Sequence, residues 1–489
     1  MTEQDVIVIG AGPAGLATAM SLAGQGLRVT VLERDGAGLG DVPGGTRADA
    51  GDGAGEGAAE RAWAHWHRPG VSQFRQPHIL LPAGSALLRT RLPQVVDALE
   101  EAGPLRLNIA GAARELPGMD GARPGDERYD TLTARRPVLD AAFAAAAAAT
   151  PGVTVRRGAA VTGLLTGPAR VEGRPHVTGV VTGQGEELHA ALVVDAGGRN
   201  SPVHALAAGL GGPPPAEERA EAGFVYYART YRAPGGAPAH PVWPLVHHEG
   251  VSTIVIPADH ETWSVVLVVS SRDHALKALR DPAAWERAAR LFPELEGRTD
   301  GEPITAPQAM AGLHSRIRRT VVDGLPVVTG LVHVGDAWAA TDPQFGLGLS
   351  MGLTHAVALA DTVAKTGLPD AVELALRFDE VTGATLTPVH ARLREWDRHR
   401  IAEIDAAIDG LAYETDDPGW HLTNALDGVK LADPDVLRAM TEVACMLDSP
   451  ENAFAAPGLV ERALTLNGGP AWTWPGPSRA EVLAAALAE

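Results

Sequence analysis

A single cysteine, Cys445, occurs in 489 residues, which excludes an intramolecular disulfide and any zinc or iron–sulfur site built on several cysteines. A reducing compartment is expected. The first residues run straight into an apolar strand with no basic stretch or cleavage site, so the chain is read as cytoplasmic. Positive charge is also in deficit. With 41 Lys and Arg against 60 Asp and Glu the net charge is −19, and a nucleic-acid backbone would be repelled, so no nucleic-acid partner is expected. Long apolar runs are missing as well: the alanine tract 141–149, broken by Phe143, is stopped by Thr150-Pro151-Gly152 at about half of the roughly 20 residues a membrane helix needs. No membrane span is expected. The composition is 45% hydrophobic and 21% charged, enough for more than one packed layer and, at roughly 150 residues each, two or three domains.

Along the chain, Asp5-Val-Ile-Val-Ile9 reads as a strand buried on both faces of a parallel sheet. The Gly-rich turn 10–15, a small-residue helix from Leu16 to Ala23 and a second apolar run from Arg28 to Leu32 complete a βαβ unit. Residues 36–62, rich in Gly, Ala, Asp and Glu, read as an exposed, flexible insertion. Spacing predicts helices over 84–102, interrupted at Pro93, and over 137–149, then strands at 153–156, 160–165, 176–182 and 189–194. Between Gly223 and Ser271 the period becomes that of an antiparallel sheet, and beyond about residue 350 the pattern is helical, ending in a Ser478…Glu481 capping box.

The chemistry is carried first by Gly10-Ala11-Gly12-Pro13-Ala14-Gly15, a G-x-G-x-x-G between a strand and a helix. Its glycines permit a tight turn, close approach of a pyrophosphate and close helix packing, and the helix N-terminus faces the phosphates. Glu33, followed by Arg34, closes the second strand 18 residues after Gly15, where an acid accepts hydrogen bonds from a ribose diol and disfavours a 2′-phosphate. FAD or NAD therefore fits better than NADP.

A second segment, Gly335-Asp336-Ala-Trp338-Ala-Ala-Thr-Asp-Pro343-Gln-Phe345-Gly346-Leu-Gly348-Leu349, follows an apolar run. It resembles the G-D-x(6)-P-x-x-G-x-G segment of FAD-dependent oxygenases with the p-hydroxybenzoate hydroxylase fold. That resemblance selects FAD. It implies that Asp336 binds the ribityl chain and that the following helix N-terminus lies beside the flavin ring, where it favours negative charge on the reduced cofactor. Arg68-Pro-Gly-Val71 resembles the family's arginine that reaches the FAD phosphates and the backbone that passes the ring. Arg136-Pro-Val-Leu139 is similar to its R-x-x-L at a helix start, with Arg135 the alternative.

Asp195-Ala-Gly197-Gly-Arg-Asn-Ser201-Pro-Val-His204 departs from the family's A-D-G-x-x-S-x-V-R at Gly197 and His204, positions linked to docking of the nicotinamide donor. The resemblance thus leaves open whether NAD(P)H reduces the flavin directly or through a partner flavin reductase. The same segment, together with Arg68 to Leu81, is similar to flavin epoxidases of polyether-type olefins. A tryptophan-type halogenase would need an early lysine, and the first here is Lys277. His65, His67, His247 and His248 lack metal-ligand spacing and read as surface or loop histidines; no metal is expected.

The resemblance implies an α/β fold: a Rossmann-like FAD-binding domain (1–222 and 311–370) interleaved with an antiparallel-sheet substrate domain (223–310), and a helical C-terminal cover (371–489). The implied activity is an FAD-dependent monooxygenase that inserts one atom of O2, through a C4a-hydroperoxyflavin, into a lipophilic natural-product intermediate of secondary metabolism by epoxidation or hydroxylation. A flavin reductase or dehydrogenase of isoprenoid-like substrates and a non-catalytic flavin-binding escort are the alternatives. Gln73, Arg75 and His78 are the catalytic candidates, and Tyr226, Trp243, Trp338 and Phe345 the substrate-binding ones.

Overall fold

The structure, a computed structural model, describes residues 4–38, 57–213, 216–233, 235–468 and 476–488. Five strands form a wholly parallel sheet in the order Leu331–His333, Leu192–Asp195, Val6–Ile9, Val29–Glu33 and Val153–Arg157. The β-branched run Val6–Ile9 is buried along its whole length because helices cover one face and a three-stranded antiparallel sheet the other. Helix Pro13–Ala23 lies against helix Gly348–Thr366 so closely that a Cβ at Gly335 or Gly352 would stand 3.2 Å from the Ala14 methyl. Small residues at this crossing let two helices whose N-termini belong to segments over 300 residues apart meet at the C-terminal edge of one sheet.

A second, antiparallel sheet runs Leu245–His247, Ser252–Pro257, Thr262–Ser270, Phe224–Arg232, with Glu302–Pro303 and Gln308–Met310 both on the outer edge of Phe224–Arg232. One face packs on Trp285, Phe292 and the C-terminal helix Arg479–Leu487. The other, bearing Tyr226, Ile254 and Val266, turns towards Phe345 and helix Thr387–Ile408. The capping box is present, since Ser478 Oγ accepts from Glu481 N and Glu481 accepts from Ser478 N.

Pro93 separates helices Pro82–Arg91 and Pro93–Glu101, as its missing N–H requires. Strands Ala216–Glu221, His314–Arg319 and Ala339–Ala340, which form a third small sheet, are not expected from sequence; their charged alternate residues hide the period. Of the expected insertion, residues 39–56 lie outside the described ones. Its end is not an exposed loop: Ala58–His65 is a helix whose Ala59 and Ala62 are buried, with Ala59 packed against Val138 and Leu139. No helix among the described residues is long and apolar enough to cross a membrane.

Candidate active site

One cavity of about 960 Å³ runs from the Gly-rich turn to the C-terminal helices. At its first end Gly10 has φ +100°, and a Cβ there would stand 2.5 Å from the Ala196 carbonyl oxygen. At Gly15 a Cβ would stand 2.1 Å from the Gly10 carbonyl oxygen, so the turn and helix touch backbone to backbone. Gly12 differs: a Cβ would meet nothing within 4 Å, and this open space belongs to the cavity. The same holds at Gly348, the first residue of the second helix. Two helix N-termini thus open onto one cavity with no side chain in front of either glycine, a cradle that suits a pyrophosphate and an electron-rich ring edge. Asp336 lines the same cavity, and its carboxylate receives no hydrogen bond from a described residue, leaving it able to accept from the hydroxyls of a ribityl chain. The residues present therefore fit FAD.

Glu33 braces the cradle from below. One oxygen accepts from Ala11 N at 2.9 Å and from Arg68 Nη2, the other from Asp35 N at 3.0 Å. Arg68 is buried and divides its guanidinium between Glu33 and Asp140, at 2.8 Å, while its Nε, without a hydrogen bond, lies 3.9 Å from the Asp35 carboxylate. Its charge is answered inside the protein, so it holds Glu33 and the helix Arg136–Ala149 in register. Arg136 donates to Asp140 and, at 2.8 Å, to His78 Nε2. Because His78 Nδ1 faces the Gln76 carbonyl at 2.9 Å it must donate there. Both ring nitrogens of His78 are then used and the imidazole is neutral. Burial, with the Arg136 charge, pushes its pKa down to about 3.

The rest of the cavity is a chamber lined mostly by apolar side chains. Tyr226, Trp243, Leu245, Ile254, Val266, Met310 and Phe345 form one wall, and Trp396, Trp420, Leu426, Met440 and Phe454 from the C-terminal helices form the other. Trp396 meets the edge of Phe345 with centroids 4.7 Å apart, tying the cover to the Pro343–Gly346 loop. Trp420 is placed by its own helix start: Asp417 caps helix Pro418–Val429 by accepting from Gly419 N at 2.7 Å and Trp420 N at 3.2 Å.

Most of the sequence-predicted residues line this cavity: Gly10, Gly12, Pro13, Ala14, Glu33, Arg34, Arg68, Val71, Gln73, His78, Arg136, Tyr226, Trp243, Gly335, Asp336, Pro343, Phe345, Gly346, Gly348 and Leu349. Ala11 and Gly15 act behind it, through the Glu33 hydrogen bond and the close turn. Two candidates point elsewhere. Arg75 is not on the cavity wall; its guanidinium donates to the Trp63 and Trp66 carbonyls and stacks on the Trp63 ring, so it braces helix Ala58–His65. Trp338 packs on His355 at 4.7 Å behind the loop, in the protein core. Arg135, the alternative to Arg136, is committed to Asp259 and Glu60.

His247 and His248 are also not surface residues. Both are buried, on Ser252 and Glu294 respectively, and His247 lines the chamber. Sequence reasoning missed Arg199, whose buried Nη1 has no partner beside the cavity, and the whole aromatic face of the cover. The signal for the latter was the spacing of Trp396 and Trp420 on amphipathic helices, which also fits ordinary packing. In the variant segment, Asp195 accepts from Gly197 N at 3.0 Å, from Ser201 Oγ at 2.7 Å and faces His333 Nδ1 at 2.9 Å. A Cβ at Gly197 would stand 2.9 Å from Ser201 Oγ.

The chain is similar to protein Rv3254 of Mycobacterium tuberculosis, 26% identical over 411 residues covering 79% of this chain and 78% of that one. Its fold is similar to PqsL of Pseudomonas aeruginosa, described as a probable FAD-dependent monooxygenase (TM-score 0.58, 17% identity, covering 83% of this chain and 96% of that one). It is similar too to a flavoprotein/dehydrogenase of Cytophaga hutchinsonii (TM-score 0.61, 18% identity, covering 95% and 98%). The FAD dependent oxidoreductase model matches residues 5–365, nearly three-quarters of the chain, and the protein belongs to that family of enzymes.

Proposed function

We propose that this FAD-dependent oxidoreductase is a monooxygenase that transfers one oxygen atom of O2 to a lipophilic natural-product intermediate, by epoxidation or hydroxylation. The observation that carries the reading is the continuity of the cofactor cradle with a largely apolar chamber. FAD, when bound, supplies the redox chemistry with O2; the protein supplies position and dryness. Gly12 and the helix behind it hold the pyrophosphate, Glu33 the adenosine ribose, Asp336 the ribityl hydroxyls, and the N-terminus at Gly348 favours negative charge at the ring. Trp396, Trp420 and Leu426 exclude water from the substrate side. Gln73, whose Oε1 accepts from Ser72 at 3.2 Å, keeps its amide N–H groups for a substrate or cofactor oxygen. Electrons come from NAD(P)H, directly or through a flavin reductase, in the cytoplasm.

A second reading is oxidation or reduction of an isoprenoid-like chain without oxygen transfer, for which the same cofactor cradle and apolar chamber would serve. Oxygen uptake separates the two. Under anaerobic NADH or NADPH, and then with a reductase added, the flavin bands should bleach, and admission of air with substrate should consume O2 in step with oxygenated product. Substrate turnover that continues without O2 would favour the dehydrogenase.

A further inference from the structure

The turn Gly335–Ala337, which carries Asp336, packs where helices Pro13–Ala23 and Gly348–Thr366 cross. Each of its carbonyls accepts a hydrogen bond: Gly335 O from Trp338 N at 2.9 Å, Asp336 O from Arg316 Nη2 at 3.0 Å and Ala337 O from Arg318 Nη1 at 2.6 Å. From the opposite side of the sequence motif, the buried Gly335 N–H donates to Nδ1 of His355 at 3.2 Å. His355 is buried on helix Gly348–Thr366, about two helical turns beyond Gly348, the residue at which that helix opens onto the cavity. Its Nε2 faces Thr382 Oγ1 on helix Ala371–Thr385 at 3.1 Å, and its ring stacks on Phe378 and meets the Trp338 ring edge to face.

We infer that His355 is a positioning residue for the cofactor: by accepting the Gly335 N–H it ties the turn that presents Asp336 to the helix whose N-terminus opens at Gly348. The two groups that grip the cofactor, a carboxylate for the ribityl hydroxyls and a helix N-terminus for the ring, then keep one spacing. This rests on the assignment of FAD to the cavity. Without an acceptor at this point a buried N–H is left unsatisfied, and the turn relieves it by moving, which carries Asp336 with it. His355 itself touches neither cofactor nor substrate; it acts through Gly335.

The role demands one protonation state. A ring nitrogen that accepts from a backbone N–H carries no proton, so the single proton of His355 is on Nε2, and Thr382 Oγ1 accepts it. Thr382 thereby fixes the tautomer from the neighbouring helix. Burial, and after it the charge of nearby His333, pushes the ring down to about 3, which keeps Nδ1 free to accept.

Two substitutions separate positioning from packing. His355→Leu keeps apolar bulk between Phe378 and Trp338 but offers no acceptor; His355→Asn is smaller and polar, yet its side-chain oxygen stands where Nδ1 does. In fluorescence titrations of the FAD-free chain at neutral pH, FAD should bind about tenfold more weakly to His355→Leu and within about threefold of wild type to His355→Asn. A packing role gives the reverse order. Hydrogen exchange at the Gly335 amide, read by mass spectrometry on the FAD-free chain, should be about tenfold faster in His355→Leu and near the wild-type rate in His355→Asn. Weaker FAD binding by His355→Asn than by His355→Leu, equal binding by all three, or Gly335 exchange as fast in wild type as in His355→Leu would overturn the inference. Should His355→Leu not fold, His355→Asn decides: FAD and amide protection retained uphold the role, and their loss overturns it. Exchange in the expected order with no FAD bound by wild type would overturn the cofactor reading and leave the hold of His355 on the turn.

Discussion

The two ends of the cavity are specified in different ways. The cofactor end is made by backbone: Gly10, Gly12, Gly15, Gly335 and Gly348 bring helix N-termini and turns to one place, and each does so through the absence of a side chain. The chamber end is made by ordinary apolar side chains, from Ile254 and Val266 on one sheet to Trp420 and Leu426 on a helix some 150 residues further on. A site that needs backbone at a given spot admits only glycine there, and so leaves a contiguous motif. A surface that needs only apolar area admits many residues and leaves none.

The largest effect is expected within the first region, where two glycines of one motif should behave in opposite ways. Gly15→Ala drives a methyl to 2.1 Å from the Gly10 carbonyl oxygen, beyond ordinary overpacking of about 1–3 kcal/mol, and thermal melts should show loss of the folded state together with FAD. Gly12→Ala meets no protein atom, and its φ of −83° suits any residue. Its melt without FAD should match wild type within about 0.5 kcal/mol, while FAD binding weakens because the methyl stands where the pyrophosphate belongs. Equal damage to stability from both would break the assignment of Gly12 to the ligand.

Asp336→Ala should raise the dissociation constant of FAD about 10- to 100-fold, the worth of a hydrogen bond to a charged group at about 1.5–3 kcal/mol, measured by fluorescence titration. Trp396→Ala should do the reverse of this: unchanged FAD retention and roughly tenfold weaker binding of an apolar substrate analogue, since it opens the wall and removes the Phe345 edge contact. A shift in FAD affinity as large as that of Asp336→Ala would show that the two ends are not separable.

A separate effect, on stability rather than on binding, is a pH dependence. His78 and His355 are held down to about 3 and His204 to about 4, each first by burial. Their unfolded value is near 6.5, so below it the unfolded chain binds protons the native one refuses, and stability is lost as pH falls from about 6.5 towards 3. For His78 alone this is about 1.4 kcal/mol per pH unit within that window. Melts from pH 7.5 to 5 should show a falling midpoint, less steep in His78→Gln; no slope would mean these imidazoles are accessible to protons.

Much of the parallel sheet was legible because β-branched runs buried on both faces leave a continuous apolar signature, as in Val6–Ile9. The cofactor segments were legible because glycine alone meets their backbone demands, at Gly10 and Gly15 above all. Arg75 and Trp338 were not: a residue's type and motif offset do not say which way it turns, and backbone carbonyls at Trp63 and Trp66 captured the one while His355 and the core captured the other. His247 and His248 read as loop residues because their partners, Ser252 and Glu294, are set by strand register and a distant turn. The chamber's second wall was illegible for a related reason, since Trp396 and Trp420 reach it only through the packing of helices whose order in sequence says nothing of their facing.

The most direct test of the cofactor cradle is an absorption spectrum of the purified chain after incubation with FAD and removal of the excess, with Asp336→Ala beside it. One FAD retained per chain, with much less on the variant, is the predicted result. No FAD retained by the wild type, or equal retention by both, would contradict it.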